Sequence, residues 1–214
     1  MALGFIKTLT KKRRSPPPKP RADLTTLLAP PAVQSRDALV ILAHPALYRS
    51  RVNAALAAAL RNRNDVTLHD LYKYYPDFLI DVETEQKKLL AHPLIVLQYP
   101  MYWYSTPALL KEWLDTVLLH GFAFGRGGDQ LHGKTLMVAV TTGGDPGAYQ
   151  PGGMNRFTMT ELLRPMEATA HLCGLTWAEP FVIHNALRMT AESQAAAASV
   201  YSDRISAMIE ASRP

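Results

Sequence analysis

The stretch that decides the fold is ALVILA at residues 38–43, followed at once by the polar loop HPALYRSR at 44–51. Six apolar residues in a row are typical of a parallel strand that helices cover on both faces. Strand and helix candidates then alternate along the chain, with strands at 66–69, 94–99, 136–142 and 176–184 and helices at 52–62, 83–91, 107–119, 158–172 and 191–211. This alternation predicts an α/β fold, a doubly wound five-stranded parallel sheet with helices on both faces.

Positive charge is concentrated at the start of the chain. The formal net charge of the 214 residues is +5, but residues 1–36 carry +7 and residues 37–214 carry −2. The sequence KKRRSPPPKP at 11–20 combines like charges with prolines, which predicts a flexible basic tail over 1–36 and a folded domain over 37–214. The tail is either an arm for an acidic membrane surface or partner, or a solvated extension without a role. Its apolar stretch at 24–28 could instead form a small helix that docks on the domain.

Composition excludes several classes of protein. The domain carries no excess of positive charge, so no nucleic-acid partner is predicted for it. No apolar run approaches the roughly 18 to 20 residues that span a bilayer. The single cysteine, Cys173, cannot form an internal disulfide, which favours a reducing, cytoplasmic compartment, and we interpret it as a buried structural residue. The seven histidines show no metal-ligand spacing, so no metal site is predicted.

The loop after the first strand candidate is the first of three unusual loops. Ligands of doubly wound sheets bind beyond the carboxyl ends of the strands, where this loop lies. It has no glycine, which excludes the GxGxxG fingerprint and the P-loop. It leads into a helix N-terminus that attracts phosphate, with Ser50 and Asn53 as hydrogen-bonding side chains and Arg49 or Arg51 as the cation. Alternatively, Ser50 only caps the helix and His44 packs against the strand end.

The other two loops supply aromatic rings and glycines. Tyr102, Trp103 and Tyr104 stand between prolines directly after a strand candidate, where they could cover a flat ligand such as a flavin ring. The sequence TTGG at 141–144 permits close approach of the backbone and offers amides to the polar edge of a ring. The aromatics could equally form a hydrophobic cluster or a subunit contact, and the glycines an ordinary loop. Together the loops favour FMN over FAD, because only one phosphate site is visible.

Several segments in combination make the chain from about residue 37 to about residue 184 resemble the flavodoxin-like NAD(P)H:quinone oxidoreductases. The segments that carry the resemblance are LVILAHP at 39–45, LIVLQYPMYWYSTPALLKEWLD at 94–115, GFAFG at 121–125, LHGK at 131–134 and TTGG at 141–144. Within that family the chain looks most like the ancillary subunits of glutathione-regulated potassium-efflux antiporters, through HDLYKYYPDFLIDVETEQ at 69–86 and MNRFTMTELLRPMEATAHLCGLTW at 154–177. The resemblance covers none of the tail.

The resemblance implies roles for particular residues of the three loops. The ribityl chain and phosphate of FMN would be held by His44, Ser50, Arg51, Val52 and Asn53. The ring would be flanked by Met101, Tyr102, Trp103 and Tyr104, and its polar edge would contact Thr141, Thr142, Gly143 and Gly144. The amides of Gly143 and Gly144 would stabilise negative charge on the reduced ring, and Tyr149 would line the substrate slot. Several family members have a histidine six residues after this tyrosine, where this chain has Asn155.

The activity that the resemblance implies is NAD(P)H:quinone oxidoreduction by two-electron hydride transfer, in a ping-pong sequence that uses FMN with NADPH or NADH as co-substrate. The resemblance also implies a homodimer, a quinone or similar small acceptor, and association with a potassium-efflux antiporter, either in the cytoplasm or on the inner face of the cell membrane. The alternative is a regulatory subunit that binds the antiporter without catalysis. An electron-carrying flavodoxin is disfavoured, because such carriers are usually strongly acidic and this domain carries only −2.

Overall fold

The centre of the domain is a parallel β-sheet. The computed structural model describes residues 37–212, so the predicted tail at 1–36 lies outside the described residues. The strands are β1 (Ala38–Leu42), β2 (Val66–Asp70), β3 (Leu94–Pro100), β4 (Thr135–Thr141), β5 (Thr176–Trp177) and β6 (Phe181–Ile183). Their order is β2-β1-β3-β4-β5, β6 also pairs with β4, and these pairings are all parallel. The predicted α/β fold with a parallel sheet is confirmed.

The fifth position of the sheet holds two short strands where the sequence predicted one strand at 176–184. β5 pairs with the first two residues of β4, and β6 pairs with its last three. Pro180 lies between them and has no amide hydrogen to donate to the ladder. The prediction of one continuous strand is therefore wrong, but both pieces lie along the same neighbour and the sheet keeps five positions.

The described part of the chain contains six α-helices, of which the first five connect strands and the sixth follows the last strand: α1 (Arg51–Leu60), α2 (Leu71–Tyr74), α3 (Val82–Ala91), α4 (Ala108–Val117), α5 (Met159–Leu172) and α6 (Ala191–Ser212). Local sequence explains where they begin. Ser50 accepts a hydrogen bond from the Asn53 amide at the start of α1, and Thr158 and Glu161 form a capping box at the start of α5. Within residues 37–212, no helix combines the length and apolar character needed to cross a membrane.

Helices cover both faces of the sheet, as the continuous apolar strands predict. One core lies under α3, α4 and α5 and includes Leu39, Ile41 and Trp113. The other lies under α1 and α6 and includes Val40 and Tyr201. Alternate residues of β1 therefore pack into different cores. Burial of each large apolar side chain contributes roughly 1.5 to 3 kcal/mol to the stability of the fold.

A buried carboxylate between the first core and α3 is compensated by several partners. Glu85 is 1% exposed and accepts hydrogen bonds from the Tyr75 hydroxyl over 2.7 Å and the Trp113 indole N–H over 2.9 Å. It also pairs with Lys88 and lies 3.0 Å from His69 Nε2. Burial alone would raise the pKa of Glu85, but the hydrogen bonds and charges of His69 and Lys88, with the Tyr75 bond, lower it to about 2. This carboxylate therefore stays ionised and serves the fold.

The sheet has its topological switch point at β1. Because β2 and β3 lie on opposite sides of β1, the two connections that follow β1 and β2 run in opposite directions across the sheet. In such sheets a crevice forms beyond the carboxyl ends of the strands at the switch point, and ligands bind there. The loops after β1, β3 and β4 all lie at this edge.

Candidate active site

A cavity of about 520 Å³ opens at the carboxyl edge of the sheet. Its volume lies in the range of small-molecule sites, roughly 300 to 1,000 Å³. Residues within 44–53, 100–102 and 141–143 line it, together with Ala186 and Leu187. The three loops that follow β1, β3 and β4 therefore share one cavity, which a fourth segment completes.

The cavity brings together most of the residues predicted to bind the cofactor: His44, Ser50, Arg51, Val52, Asn53, Met101, Tyr102, Thr141, Thr142 and Gly143. Trp103, Tyr104 and Gly144 lie outside its lining, and so does Tyr149. Gly143 and Gly144 also line an adjoining groove of about 540 Å³, which Arg188 enters from the segment after β6.

Buried hydrogen bonds fix the inner end of the cavity. The Asn53 side-chain amide donates to Thr141 Oγ1 over 3.0 Å, which joins α1 to β4. Gln98 Nε2 donates to the Asn53 carbonyl over 3.0 Å, and Gln98 Oε1 accepts from the Tyr201 hydroxyl over 3.2 Å. All four side chains are buried. These bonds hold the N-terminus of α1 in place beside the cavity.

The inner end is electropositive. The amides of Arg51 and Val52, in the first turn of α1, have no acceptor within residues 37–212 and carry the partial positive charge of a helix N-terminus. Arg49 and Arg51 line the same wall, and Arg51 Nη2 donates to the Leu187 carbonyl over 2.9 Å. Among the described residues that line the cavity, none is acidic. This combination suits a phosphate group.

His44 adds an uncharged donor to this end. Its Nδ1 accepts a hydrogen bond from the Ala46 amide over 3.0 Å, so the neutral ring carries its proton on Nε2. Burial lowers the pKa of His44 below its ordinary value of 6.5, although the charge of Asp70 acts in the opposite direction. The imidazole is therefore neutral at pH 7 and has an N–H group for an oxygen-rich ligand.

The outer rim is an aromatic turn with a strained backbone. The amides and carbonyls of Tyr102 and Ser105 bond to each other over 3.0 and 2.9 Å. The two residues between them, Trp103 and Tyr104, have φ of 50° and 60°, as in the type I′ turns that usually contain asparagine and glycine. For side chains this left-handed conformation costs roughly 1 to 2 kcal/mol per residue. Trp103 is 94% exposed at the tip of the turn, which explains its absence from the cavity lining.

A hydrogen bond ties the aromatic turn to the loop that contains Tyr149. The Tyr104 hydroxyl donates to Asn155 Oδ1 over 3.1 Å, and the Asn155 amide donates to the Ala148 carbonyl over 2.9 Å. The resemblance implies a histidine at this position in several family members, whereas in this chain Asn155 supplies a bridging amide. Tyr104 points to this bridge and not to the cavity lining.

The glycine loop has free donors and firmly held carbonyls. The N–H groups of Gly143, Gly144 and Asp145 have no acceptor within residues 37–212. By contrast, the Thr142 carbonyl accepts from the Ala186 amide and the Gly144 carbonyl from the Asn185 amide, each over 2.9 Å. A side chain at position 144 would place its Cβ 3.1 Å from the Tyr149 ring, so the glycine there lets Tyr149 pack against the loop. Successive free amides of this kind bind electron-rich groups.

The segment after β6 is the part of the site that sequence reasoning missed. Ala186 and Leu187 line the cavity, and the amides of this segment hold the glycine loop. The rule that selected the loops after β1, β3 and β4 would also select this one, because β6 is parallel and ends at the same edge. The prediction of a single strand over 176–184 assigns no role to residues 185–188, although they form the loop after a parallel strand.

The residues present fit FMN. The inner end offers helix amides, Arg51 and the His44 N–H to a phosphate and ribityl chain, and the outer end offers Met101, Tyr102 and the Gly143 amide to a flat ring with a polar edge. One cavity therefore holds both a set of donors for a phosphate and a surface for a flat ring, the two parts that a flavin mononucleotide carries.

The fold and this site define a flavodoxin-like protein, and comparison with known proteins agrees. The chain belongs to the family whose model is described as flavodoxin-like fold, which matches residues 36–205. It is 45% identical over 170 residues to the glutathione-regulated potassium-efflux system ancillary protein KefG of Erwinia tasmaniensis, covering 79% of this chain and 92% of that protein. The expected family is thus confirmed.

Two solved structures are also similar. General stress protein 14 of Treponema denticola, in complex with FMN, has a TM-score of 0.75 and 37% identity, covering 83% of this chain and 99% of that chain. A NADPH-quinone reductase of P. pentosaceus has a TM-score of 0.72 and 38% identity, covering 78% of this chain and 96% of that chain.

Proposed function

We propose that this chain is an FMN-dependent NAD(P)H:quinone oxidoreductase. The observation that carries the proposal is the single cavity whose inner end suits a phosphate and whose outer end suits a flat ring. An FMN complex and a NADPH-quinone reductase among the similar structures support it. FMN is preferred to FAD because the described cavity contains one helix N-terminus for one phosphate.

Each end of the cavity has its own task. The amides of Arg51 and Val52, with the Arg51 side chain and the His44 Nε2–H, bind the phosphate end and set the depth of the ligand. Met101 and Tyr102 orient the ring at the opening. The free amides of Gly143 and Gly144 stabilise negative charge that develops at the polar edge during reduction.

Bound FMN would supply the two-electron chemistry, taking hydride from NADPH or NADH and passing it to the acceptor. The overall reaction balances as NAD(P)H plus a proton plus quinone giving NAD(P)⁺ plus hydroquinone. The protein's part is to orient the two substrates one after the other at the same opening, which makes the sequence ping-pong. Tyr149, which is half-buried and packs against Gly144, would line the substrate slot with its hydroxyl.

The exposed rim supports a homodimer. Trp103 projects from a strained turn with 94% of its surface accessible, and Phe157 and Met154, which are near Asn155 in the chain, are also exposed. Large exposed aromatic and apolar groups are typical of contact surfaces. We infer that a second copy covers this rim and closes the substrate slot.

The relationship to KefG supports a physiological setting. KefG is an ancillary protein of a glutathione-regulated potassium-efflux system, and it aligns with this chain over 92% of its own length. We infer that this reductase associates with a potassium-efflux antiporter, at the inner face of the cell membrane. Co-purification with the antiporter tests this part separately from the redox activity.

Absorption spectroscopy tests the redox proposal directly. The protein is mixed with FMN, the excess is removed, and NADPH and then a quinone are added. We expect a retained yellow band that NADPH bleaches and quinone restores. Arg51→Gln should retain less FMN, whereas Arg126→Gln, a matched change in an exposed loop, should behave like the wild type. A protein that stays colourless after loading would refute the proposal.

A further inference from the structure

His184 lies directly behind the glycine loop and has no role in the mechanism so far. It follows β6 and is half-buried, with Nδ1 3.0 Å from the Thr142 hydroxyl oxygen. Its ring centroid is 5.3 Å from that of Tyr149, and the two planes are tilted by 38°. The imidazole thus contacts both the loop that would bind the polar edge of the ring and the tyrosine at the slot.

Counting protons fixes the tautomer of His184. The Thr142 hydroxyl donates to the Gly144 carbonyl over 3.1 Å, since a carbonyl can only accept. A hydroxyl has one proton, so the contact with His184 requires the imidazole to be the donor there. Nδ1 therefore carries a proton and Nε2 is the basic nitrogen. This is the reverse of His44, whose Nδ1 is an acceptor.

The resulting relay fixes the direction of a peptide group. His184 Nδ1–H donates to Thr142, Thr142 donates to the Gly144 carbonyl, and the Asn185 amide donates to the same carbonyl over 2.9 Å. In a planar trans peptide the carbonyl and the following N–H point in opposite directions. Holding the Gly144 oxygen toward 185 therefore turns the Asp145 N–H, one of the three free donors, away from that segment.

We propose that His184 is the positioning residue of the ring-binding loop: its Nδ1–H, through the Thr142 hydroxyl, sets the Gly144–Asp145 peptide for contact with the polar edge of the ring, while its ring supports Tyr149. The proposal rests on the proposed function for the identity of the ligand. It does not require the imidazole to change its charge, since Nδ1 keeps its proton in both the neutral and the cationic form.

The charged and titratable groups around His184 are consistent with a neutral donor. Burial lowers its pKa, and the negative charge of Asp145 acts in the opposite direction. Asp145 is itself engaged, because its Oδ1 accepts from the Ala148 amide over 3.0 Å. Tyr149 is the other titratable group in contact with the ring. The relay is therefore in place at pH 7.

Three variants test the relay through FMN affinity, measured by quenching of flavin fluorescence. His184→Ala should weaken FMN binding about tenfold, which corresponds to about 1.4 kcal/mol. Thr142→Val, which keeps the size but removes the hydroxyl, should do the same, and the double variant should lose little more than either single one. His184→Asn places an amide N–H near the position of Nδ1 and should bind FMN within about threefold of the wild type. His171→Ala, at an exposed position on α5, is the control.

NMR of histidine side chains in the unloaded protein gives a second readout that a merely structural role would not move. We expect the Nδ1–H tautomer for His184 and the Nε2–H tautomer for His44, and Thr142→Val should release His184 toward the more common Nε2–H form. An Nε2–H tautomer in the wild type, or tight FMN binding by both His184→Ala and Thr142→Val, would overturn the proposal. If the wild type takes up no FMN, the proposed function fails and the ring-binding role fails with it, whereas loss of affinity confined to the variants supports both.

Discussion

The inner end and the outer rim of the cavity are built in opposite ways. At the inner end Asn53, Gln98 and Tyr201 are at most 2% exposed, and their side chains bond to one another or to neighbouring groups. At the rim Trp103 is 94% exposed, and both Trp103 and Tyr104 adopt positive φ. One region is bonded to the core of the fold, and the other is held in a conformation its residues disfavour.

The difference fits the tasks proposed for the two regions. A phosphate that stays bound needs donors that do not move, and buried, fully paired hydrogen bonds provide that rigidity. Substrates that come and go, or a second subunit, need accessible surface, and strained backbone is often found at such places. The inner end should therefore govern stability and cofactor retention, whereas the rim should govern turnover at little cost to stability.

The largest expected effect comes from breaking the inner end at Gln98. Gln98→Leu leaves the buried Tyr201 hydroxyl without its partner and removes the side-chain bond to the Asn53 carbonyl, which then keeps only its bond within α1. At about 1 to 3 kcal/mol for the orphaned hydroxyl and about 1 kcal/mol for the lost bond, the free energy of unfolding should fall by about 2 to 4 kcal/mol, measured by urea denaturation. FMN retention should fall as well.

Tyr201 provides the matched control for this change. Tyr201→Phe removes one hydroxyl and should cost about 1 kcal/mol, and combining it with Gln98→Leu should recover part of the loss because no hydroxyl is then left unpaired. A loss below about 1 kcal/mol for Gln98→Leu alone would mean that the inner end is not the rigid part of the site.

A smaller effect on stability is expected at the rim, where glycine should relieve the backbone strain. Trp103→Ala and Trp103→Gly both remove the ring, but only glycine tolerates φ of 50° without strain. The glycine variant should be more stable than the alanine variant by about 1 kcal/mol in urea denaturation. Both should show roughly tenfold lower kcat/KM for quinone, because both lack the aromatic surface of the slot. Equal stabilities of the two variants would show that Trp103 is not strained. An unchanged kcat/KM in both variants would show that the rim has no role in turnover.

The two regions also differ in how far the sequence predicts them. The apolar runs at 38–43 and 94–99 predict the central strands, and Ser50 with its following helix predicts the electropositive end. Local sequence patterns do not predict the hydrogen-bond partner of Asn53, because Thr141 is 88 residues away and contacts it only in the folded protein. The rim resists prediction more strongly, because tryptophan and tyrosine at positive φ contradict local propensity. The place of Leu187 in the site could have been predicted, because the residue follows a parallel strand. That prediction requires recognising that Pro180 divides the edge strand into two, so that β6 ends just before residues 184–188.

The smallest expected effect is a pH dependence of stability that starts at the inner end. Because burial holds the pKa of His44 below 6.5 in the folded protein, the unfolded chain binds more protons as the pH falls through that value. The contribution of His44 to the free energy of unfolding is therefore complete above about pH 6.5. It is lost as the pH falls through the pKa of His44 in the folded protein, where the Ala46 amide also loses its acceptor. Burial also lowers the pKa of His184, which adds to the same trend, whereas Glu85, with a pKa of about 2, stays ionised throughout.

Urea denaturation between about pH 7.5 and about pH 5 should show a smaller decline in the free energy of unfolding for His44→Asn, whose side-chain oxygen can still accept from Ala46, than for the wild type. If His44→Asn and exposed His171→Asn both decline as steeply as the wild type, the titrating group is not at the inner end, and its rigidity owes nothing to a neutral His44.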